Sequence, residues 1–169
     1  HEDGHSHILA NTIPNCVSYD PTFAHEVAVI MHDGLKRMVE RQENVFYYIT
    51  LLNENYAMPG LLPGTEEQII KGMYLCKPGA DGDKRVQLLG SGTILRESLE
   101  AQTLLAADWG VQADVWSCPS FNELTREGQD ADRWNLLHPL ETPRVPFVTR
   151  QLGSRSGPVV ASTDYMKAY

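Results

Sequence analysis

The amino-acid sequence predicts an α/β fold of mainly parallel sheets with helices on both faces. Short apolar stretches typical of buried strands recur along the chain, and amphipathic or capped helical segments separate them. Strands that alternate with helices of this length are joined by right-handed crossovers, which make neighbouring strands parallel. Proline and glycine punctuate residues 56–84, so we expect a linker there between two structural units, residues 1–55 and 85–169.

The first unit is predicted to contain a strand, a helix and a second strand. Residues 12–18 form the first apolar stretch, and Asp20-Pro21 after it is typical of a helix cap with proline in the first turn. Residues 45–52 are nearly all β-branched, aromatic or leucine, which predicts a strand buried in a parallel sheet. Apolar spacing predicts that the helix between them buries Ala24, Val27, Ala28, Met31, Leu35 and Met38.

The second unit is predicted to continue the alternation. Strands are expected over 85–90, 113–117 and 158–162, with a helix over 94–108 and a proline-punctuated loop over 140–147. We expect Val115 and Trp116 to be buried, because their strand is short, apolar and lies between two helices.

A capping box marks the start of one more helix in the second unit. Ser120 and Glu123 have the spacing of this motif, in which each side chain bonds the other residue's backbone N–H. The motif predicts a helix that begins at Phe121, and we expect that helix to end near Gly128.

Composition argues against several classes of protein. Asp and Glu number 22 against 14 Lys and Arg, and basic residues cluster only in pairs, so we expect no nucleic-acid partner. No apolar run approaches the ~20 residues of a membrane span. The first residues also lack the basic and apolar regions of a signal peptide, so we expect no membrane association and a cytoplasmic location. The three cysteines have no CxxC spacing, which argues against a disulfide framework or a zinc ribbon.

The densest cluster of chemically active side chains opens the chain, where His1, Asp3, His5 and His7 fall within seven residues. Imidazole titrates near neutrality, so this cluster suits proton transfer, contact with an anionic substrate, or metal ligation. In an extended strand Asp3, His5 and His7 would share one face, as a metal site requires. A solvated polar terminus without function is the alternative.

Two further segments have a position that suits ligand binding. The backbone amides of the Gly90-Ser91-Gly92 turn are placed to hold an anion, but position 95 lacks the third glycine of a dinucleotide fingerprint. We therefore favour a purely structural turn there. Residues 53–56 follow the carboxyl end of a predicted strand, where open α/β sheets bind ligands, although a polar loop is an equally good interpretation.

Several long motifs together resemble one enzyme family. These motifs are HEDGHSH, TIPNCVSYDP, AHEVAVIMHDGL, LNENY and SFNELTREGQDADRWNLLHPLETPRVPF. Through them the chain is similar to the homodimeric bacterial pyruvate dehydrogenases, within the transketolase-like thiamine diphosphate enzymes. The resemblance implies an internal fragment, in which residues 1–55 end a pyrimidine-binding domain and residues 85–169 begin a transketolase-type C-terminal domain.

The resemblance also implies a function for the parent protein. Such an enzyme uses thiamine diphosphate and Mg²⁺ to decarboxylate pyruvate, the product of glycolysis. It then reductively acetylates the lipoyl domain of dihydrolipoamide acetyltransferase within a multienzyme complex. His1 matches the family histidine that contacts the substrate adduct, and Asp3, His5 and His7 lie on the same active-site loop. The family's diphosphate and magnesium motif and its cofactor-activating glutamate are missing from this sequence, so we expect the isolated chain to bind no cofactor and to be inactive.

Two other functions are compatible with the residues. A small metal-dependent hydrolase would use Asp3, His5 and His7, with His138 as a further ligand from a distant part of the sequence. A non-catalytic α/β interaction module would fit the second unit by itself.

Overall fold

A computed structural model describes residues 3–169 of the chain and contains two sheets. A π-helical turn over Lys36–Glu40 directly follows the helix over Ala24–Leu35. In chain order the elements are α1 (Ser6–Asn11), β1 (Cys16–Tyr19), α2 (Ala24–Leu35), β2 (Phe46–Ile49), α3 (Glu66–Ile70), β3 (Tyr74–Lys77), β4 (Arg85–Gly90), α4 (Ile94–Trp109), β5 (Gln112–Ser117), α5 (Phe121–Leu137), α6 (Phe147–Leu152) and β6 (Val159–Ser162).

Parallel pairing dominates both sheets. In the first sheet β1 pairs in parallel with β2. The second sheet has the order β3-β5-β4-β6, and its central strand β4 is parallel to both β5 and β6. Only β3 at the edge runs antiparallel, along β5. The predicted mainly parallel α/β class is confirmed.

Helices cover both faces of the second sheet, as predicted. Successive residues of a strand point to opposite faces, so β4 contributes to two separate cores. Leu88 packs in one cluster with Leu95 of α4. Leu89 packs in another cluster with Leu124 of α5 and Phe147 of α6. The sheet is therefore the middle layer of three.

The central strand β5 is buried, as the sequence predicts. Val115 and Trp116 have 0% and 1% of their surface exposed. The indole Nε1 of Trp116 donates a hydrogen bond of 2.8 Å to Oε1 of Gln87, so the one polar atom of this large side chain is satisfied inside the core.

The predicted buried face of α2 is wrong. The residues that α2 buries are Glu26, Ile30 and Gly34, whereas Met31 and Leu35 are 54% and 55% exposed. A Cβ atom at Gly34 would lie 3.3 Å from the ring of Tyr47, so the glycine lets the helix approach β2 closely on this side. Of the other predicted core residues, Val27 is half-buried and three are exposed: Ala24, Ala28 and Met38.

The strand β2 has the predicted parallel pairing but not the predicted burial. Phe46 and Tyr48 are 44% and 37% exposed, and they alternate with the half-buried Tyr47 and Ile49. Within the described residues β2 pairs with β1 alone, so its other edge has no neighbouring strand there, and the face that carries Phe46 and Tyr48 is only partly covered.

The start of α2 is set by a glutamate, not by the predicted Asp20-Pro21 cap. Phe23 is the N-cap residue. The Glu26 carboxylate accepts hydrogen bonds from the backbone N–H of Thr22 at 2.6 Å and of Phe23 at 2.9 Å. Asp20 therefore does not cap α2, and its side chain lies in the wall of a polar cavity.

The predicted start of α5 is confirmed, with one of the two bonds of the capping box: the Ser120 backbone N–H donates to the backbone O of Gly72 and not to Glu123. Ser120 is the N-cap, and its hydroxyl accepts a 3.0 Å hydrogen bond from the backbone N–H of Glu123. The predicted end near Gly128 is wrong, because the helix continues to Leu137 before Pro139. The region around position 128 is open, so this glycine neither forces a turn nor fills a close contact.

The segment 56–84 is more ordered than its composition suggests. It contains α3 and β3, and three of its side chains have no more than 1% of their surface exposed: Ile69, Met73 and Tyr74. Tyr74 packs with the residues of β1 and α2, while Met73 packs around Trp116. This segment therefore joins the cores of the two sheets.

The last part of the chain contains one helix that the sequence analysis did not predict. The helix α6 begins directly after Pro146, within and beyond the expected loop, and β6 follows at the predicted place. Among residues 3–169 no helix combines the length and the apolar character needed to cross a membrane.

Candidate active site

A polar cavity lies where the carboxyl ends of parallel strands from both sheets meet. Its volume is about 710 Å³. Asp20 follows β1, Thr50 follows β2, Thr93 lies just after β4 and Asp164 just after β6. Ligands bind at this edge of open parallel sheets. The cavity is lined by Asp3, Gly4, Asp20, Thr50, Leu51, Leu52, Asn53, Thr93, Asp164 and Tyr165.

Part of the opening cluster reaches this cavity. Asp3 lines it and also orders the start of α1, because its Oδ1 accepts hydrogen bonds from the backbone N–H of His5 at 3.2 Å and of Ser6 at 2.9 Å. The Ser6 hydroxyl also bonds the Asp3 carboxylate and holds the pKa of that carboxyl below its usual range. His5 is exposed, and His1 lies outside the described residues.

The opening segment is not the extended strand in which Asp3, His5 and His7 would share one face. The segment turns into α1 at Ser6, so His5 is exposed whereas His7 is buried. His138 ends α5, where its ring stacks on Trp134 at 4.4 Å. Over residues 3–169 no three His, Cys, Asp or Glu side chains are grouped so that they could hold a metal ion.

His7 lies behind the cavity wall. Its side chain has 0% of its surface exposed, and its Nε2 is 2.9 Å from Oγ1 of Thr50. Burial lowers the pKa of His7 to about 4, although Asp3 opposes this shift. The imidazole is therefore neutral at pH 7, so it can donate and accept hydrogen bonds but does not act as an imidazolium acid.

Asp20 is a buried carboxylate that sequence analysis missed as a site residue. Thr50 Oγ1 donates to its Oδ1 at 2.6 Å, and Ser91 Oγ donates to its Oδ2 at 3.0 Å. Burial raises the pKa of Asp20, while the two hydroxyl groups oppose that rise. Among the described residues Asp20 thus connects the first sheet with the turn after β4.

The Gly90-Ser91-Gly92 turn is structural, as predicted. Gly92 has a φ of 47°, and a Cβ atom there would lie 2.5 Å from an Asp20 carboxylate oxygen. Its backbone N–H donates to the backbone O of Asp20 at 3.0 Å. Glycine is needed here because the turn packs directly on that residue.

The polar segment after β2 divides between two roles. Asn53 lines the cavity, whereas Glu54 forms a 2.6 Å ion pair with Arg96. The Tyr56 hydroxyl donates to the backbone O of Thr22. Asn53 therefore lies where the ligand-binding interpretation places it, whereas Glu54 and Tyr56 make structural contacts.

Sequence reasoning missed most of the cavity wall. Asp20, Thr50, Thr93, Asp164 and Tyr165 follow the carboxyl ends of four strands, and all four strands were predicted. The rule that ligands bind at carboxyl ends, applied to every predicted strand, would have found all of them except Thr50, which lies within the predicted strand over 45–52. Burial raises the pKa of Tyr165 to about 12, so its hydroxyl remains a donor.

Two family models match the chain in succession. The first is described as the pyruvate dehydrogenase E1 component middle domain and matches residues 1–59. The second is described as the transketolase-like TK C-terminal domain and matches residues 72–169, more than half of the chain. The chain therefore belongs to the transketolase-like family.

Within that family the similar proteins are pyruvate dehydrogenase E1 components. The one from Escherichia coli K12 is 61% identical over 170 residues, and the one from Cupriavidus necator is 57% identical over 171 residues. Both alignments cover 100% of this chain but 19% of the relative, so the chain spans about a fifth of the length of the relatives that it matches.

Solved structures support the same fold. A transketolase from Leishmania mexicana superimposes with a TM-score of 0.58 at 14% sequence identity, covering 95% of this chain and 20% of that chain. At this level of identity the likeness concerns the fold alone.

Proposed function

We propose that this chain is a segment of a pyruvate dehydrogenase of the transketolase-like type, and that it forms one wall of the active site. The observation that carries this proposal is the cavity itself. It is built from the carboxyl ends of strands in both matched domains, and Asp3 of the opening cluster lines it. The domain boundaries we propose are those expected from the sequence, with residues 56–84 between the two units.

The side chains of the cavity are suited to hydrogen bonding with a polar ligand. Asp3, Asp20 and Asp164 supply carboxylates, and Thr50 and Tyr165 supply hydroxyl groups. Among the lining residues that the structure describes, from Asp3 onwards, none is a lysine, arginine or histidine. These described side chains favour contact with hydroxyl or cationic parts of a ligand, so a carboxylate such as that of pyruvate needs positive partners other than them.

The residues of this chain do not fit the diphosphate group or the Mg²⁺ of thiamine diphosphate. Three carboxylates would repel a diphosphate, and the Gly92 amide in the nearby turn is already bonded to Asp20. The described residues contain no group of three possible metal ligands. We therefore propose that thiamine diphosphate and Mg²⁺ are held by other parts of the full-length parent.

The name shared by the relatives extends the proposal to the parent's partners. We propose that the parent decarboxylates pyruvate and acetylates the lipoyl domain of dihydrolipoamide acetyltransferase, that it acts as a cytoplasmic homodimer, and that this segment is inactive alone. Met31 and Leu35 are exposed one turn apart on α2, and this apolar stripe supports association with further protein surface, because monomeric proteins rarely expose contiguous apolar patches.

Calorimetry tests whether the segment binds the cofactor by itself. We expect no measurable heat of binding when the isolated chain is titrated with thiamine diphosphate and Mg²⁺ at millimolar concentration. Stoichiometric binding would contradict the proposal that the diphosphate is held elsewhere.

Substitution of His1 tests the catalytic proposal in the full-length parent. We expect His1→Ala to lower turnover about 10²- to 10⁴-fold, the range for loss of a proton-transfer group, with little change in cofactor affinity. His32→Ala is the matched control, since His32 is an exposed histidine on α2.

Bound metal is measured on the same samples to distinguish thiamine-dependent catalysis from a zinc-dependent hydrolase. Unchanged turnover in His1→Ala would remove His1 from the catalytic set of His1, Asp3, His5 and His7. One equivalent of tightly held zinc in the wild type, lost in His1→Ala, would favour the hydrolase instead.

A further inference from the structure

A chain of hydrogen bonds leads from His7 to Asp20 at the cavity wall. Asp20 accepts the Thr50 hydroxyl proton at 2.6 Å, and a hydroxyl has one proton to donate. Thr50 Oγ1 must therefore act as the acceptor towards Nε2 of His7 at 2.9 Å. This assigns the imidazole proton to Nε2 and leaves Nδ1 as an acceptor.

The backbone O of Tyr19, 3.4 Å from Thr50 Oγ1, can only accept, so it too leaves Thr50 as the acceptor towards His7. The Tyr165 hydroxyl donates to Thr50 Oγ1 at 3.5 Å, so Thr50 accepts twice and gives its own proton to Asp20. Ser91 donates to the second carboxylate oxygen of Asp20. Asp20 is thus held from the far side by the turn that precedes α4, and it in turn holds Thr50.

The imidazole ring of His7 is also confined by its packing. The rings of Tyr48, Tyr165 and Tyr169 surround it with centroid distances of 5.4, 4.8 and 5.4 Å. Asn122 Nδ2 donates to the backbone O of His7 at 2.8 Å. Nδ1 is buried and has no hydrogen-bond partner within residues 3–169. Buried polar atoms without a partner are rare in native structures.

We propose that Asp20 and Thr50 are positioning residues of the active site, which hold the proton of His7 on Nε2 and fix its ring so that Nδ1 is the acceptor. Neither residue belongs to the opening cluster; both line the cavity, and in this additional role they act through His7, which is buried behind them. The inference rests on the proposed function, because both residues line the proposed active site. Ser91 of the Gly90-Ser91-Gly92 turn belongs to the same arrangement, since its hydroxyl orients Asp20.

The test uses the full-length parent with three variants. Thr50→Val keeps the shape of the side chain and removes its hydroxyl, Thr50→Ser restores the hydroxyl, and Asp20→Asn removes the charge of the final acceptor. Thr103→Val is the matched control, because Thr103 is exposed on α4. Turnover and KM for pyruvate, the melting temperature and the ¹⁵N chemical shifts of the His7 ring are measured for each, the ring signals being assigned by their loss in His7→Gln.

We expect Thr50→Val to lower kcat about 100-fold, as small misplacements at active sites do, with a smaller change in KM. We expect Thr50→Ser to recover most of the loss and Thr103→Val to match the wild type. The wild-type spectrum should show the proton on Nε2, and Thr50→Val should lose that preference.

Several outcomes would overturn the positioning role. A wild-type His7 with its proton on Nδ1, or a Thr50→Val protein with an unchanged tautomer and unchanged kcat, would do so. Should Thr50→Val fail to fold, the wild-type tautomer and the Asp20→Asn spectrum decide the question. A wild type that lacks pyruvate-dependent activity but shows the Nε2 tautomer and its loss in Thr50→Val would reject the proposed function and keep the positioning role.

Discussion

The two matched regions differ in how far they bury their own apolar residues. In the C-terminal region, residues 72–169, five consecutive residues of β4 and five of β5 are buried between helices on the two faces. In the N-terminal region, residues 3–59, β2 alternates between exposed and half-buried side chains, and α2 exposes its methionine and leucine face. The same kind of apolar sequence is therefore buried only where this chain itself supplies a second layer.

A buried carboxylate joins the two regions. Glu26 of α2 accepts hydrogen bonds from Tyr74 of β3 at 2.8 Å and from Ser117 of β5 at 2.5 Å, in addition to the two backbone bonds at the start of its helix. Its side chain has 0% of its surface exposed. The regions thus share a polar contact as well as the apolar cluster around Tyr74.

The largest effect is expected in the covered core of the C-terminal region. Trp116→Ala should lower the free energy of unfolding by about 3 to 5 kcal/mol, because it removes a large side chain that is 1% exposed. Trp109→Ala is the matched control at the end of α4, where the indole is 71% exposed. Chemical denaturation of both variants measures the difference. A loss below about 1 kcal/mol for Trp116→Ala would show that this core does not carry the stability of the region.

This contrast also explains what the sequence could predict. Local signals sufficed where the structure is local: the Ser120 cap, the strand over 85–90 and the turn at Gly92 all appear as predicted. The face of α2 that is buried depends on which elements lie beside it. Its apolar stripe did not reveal that Glu26 and Gly34 face inward, since one is charged and the other has no side chain.

The cavity wall was hidden for a related reason. Asp20 looked like a helix cap because its neighbour is a proline, whereas Glu26 performs that role from within the helix. The bond from Ser91 to Asp20 spans 71 positions in the sequence, and no local pattern encodes such a contact. Asp3 was found because it stands beside the histidines.

The next effect concerns the pH dependence of the N-terminal region. His7 has a pKa of about 4 in the folded protein because it is buried, whereas an unfolded histidine titrates near its ordinary value of 6.5. Between these values the unfolded chain takes up a proton that the folded chain does not. The stability that His7 contributes is therefore complete above pH 6.5 and is lost as the pH falls towards 4, by about 3 kcal/mol in total.

Comparison with His7→Gln isolates this contribution, because all other titrating groups are shared. The free energy of unfolding of the wild type, minus that of His7→Gln, should be about 3 kcal/mol lower at pH 4 than at pH 7. Denaturation of both proteins at the two pH values measures this change. A difference that stays constant over this range would mean that the imidazole of His7 is accessible to water.

A smaller effect is expected at the contact between the regions. Glu26→Gln should lower the free energy of unfolding by about 2 kcal/mol, since hydrogen bonds to a buried charged group are weakened although the shape is kept. Glu100→Gln, at an exposed position of α4, serves as the control. Separate unfolding transitions for the two regions in Glu26→Gln, with one transition in the control, would show that this carboxylate couples them. A variant as stable as the control would contradict that role.

The smallest effect is expected on the uncovered face of α2, and it separates the two interpretations of that helix. Leu35 is 55% exposed, so Leu35→Ala should change the stability of this chain by less than about 0.5 kcal/mol. Ile30 is 1% exposed, and Ile30→Val should cost about 1 kcal/mol although it removes a single methyl group. The variant that loses more atoms is therefore expected to lose less stability, the reverse of what the apolar spacing alone predicts. Thermal or chemical denaturation of the two variants side by side measures this order. If Leu35→Ala were the more damaging change, the face predicted from the sequence would be the buried one after all, and the contrast between a covered and an uncovered region would fail at its clearest point.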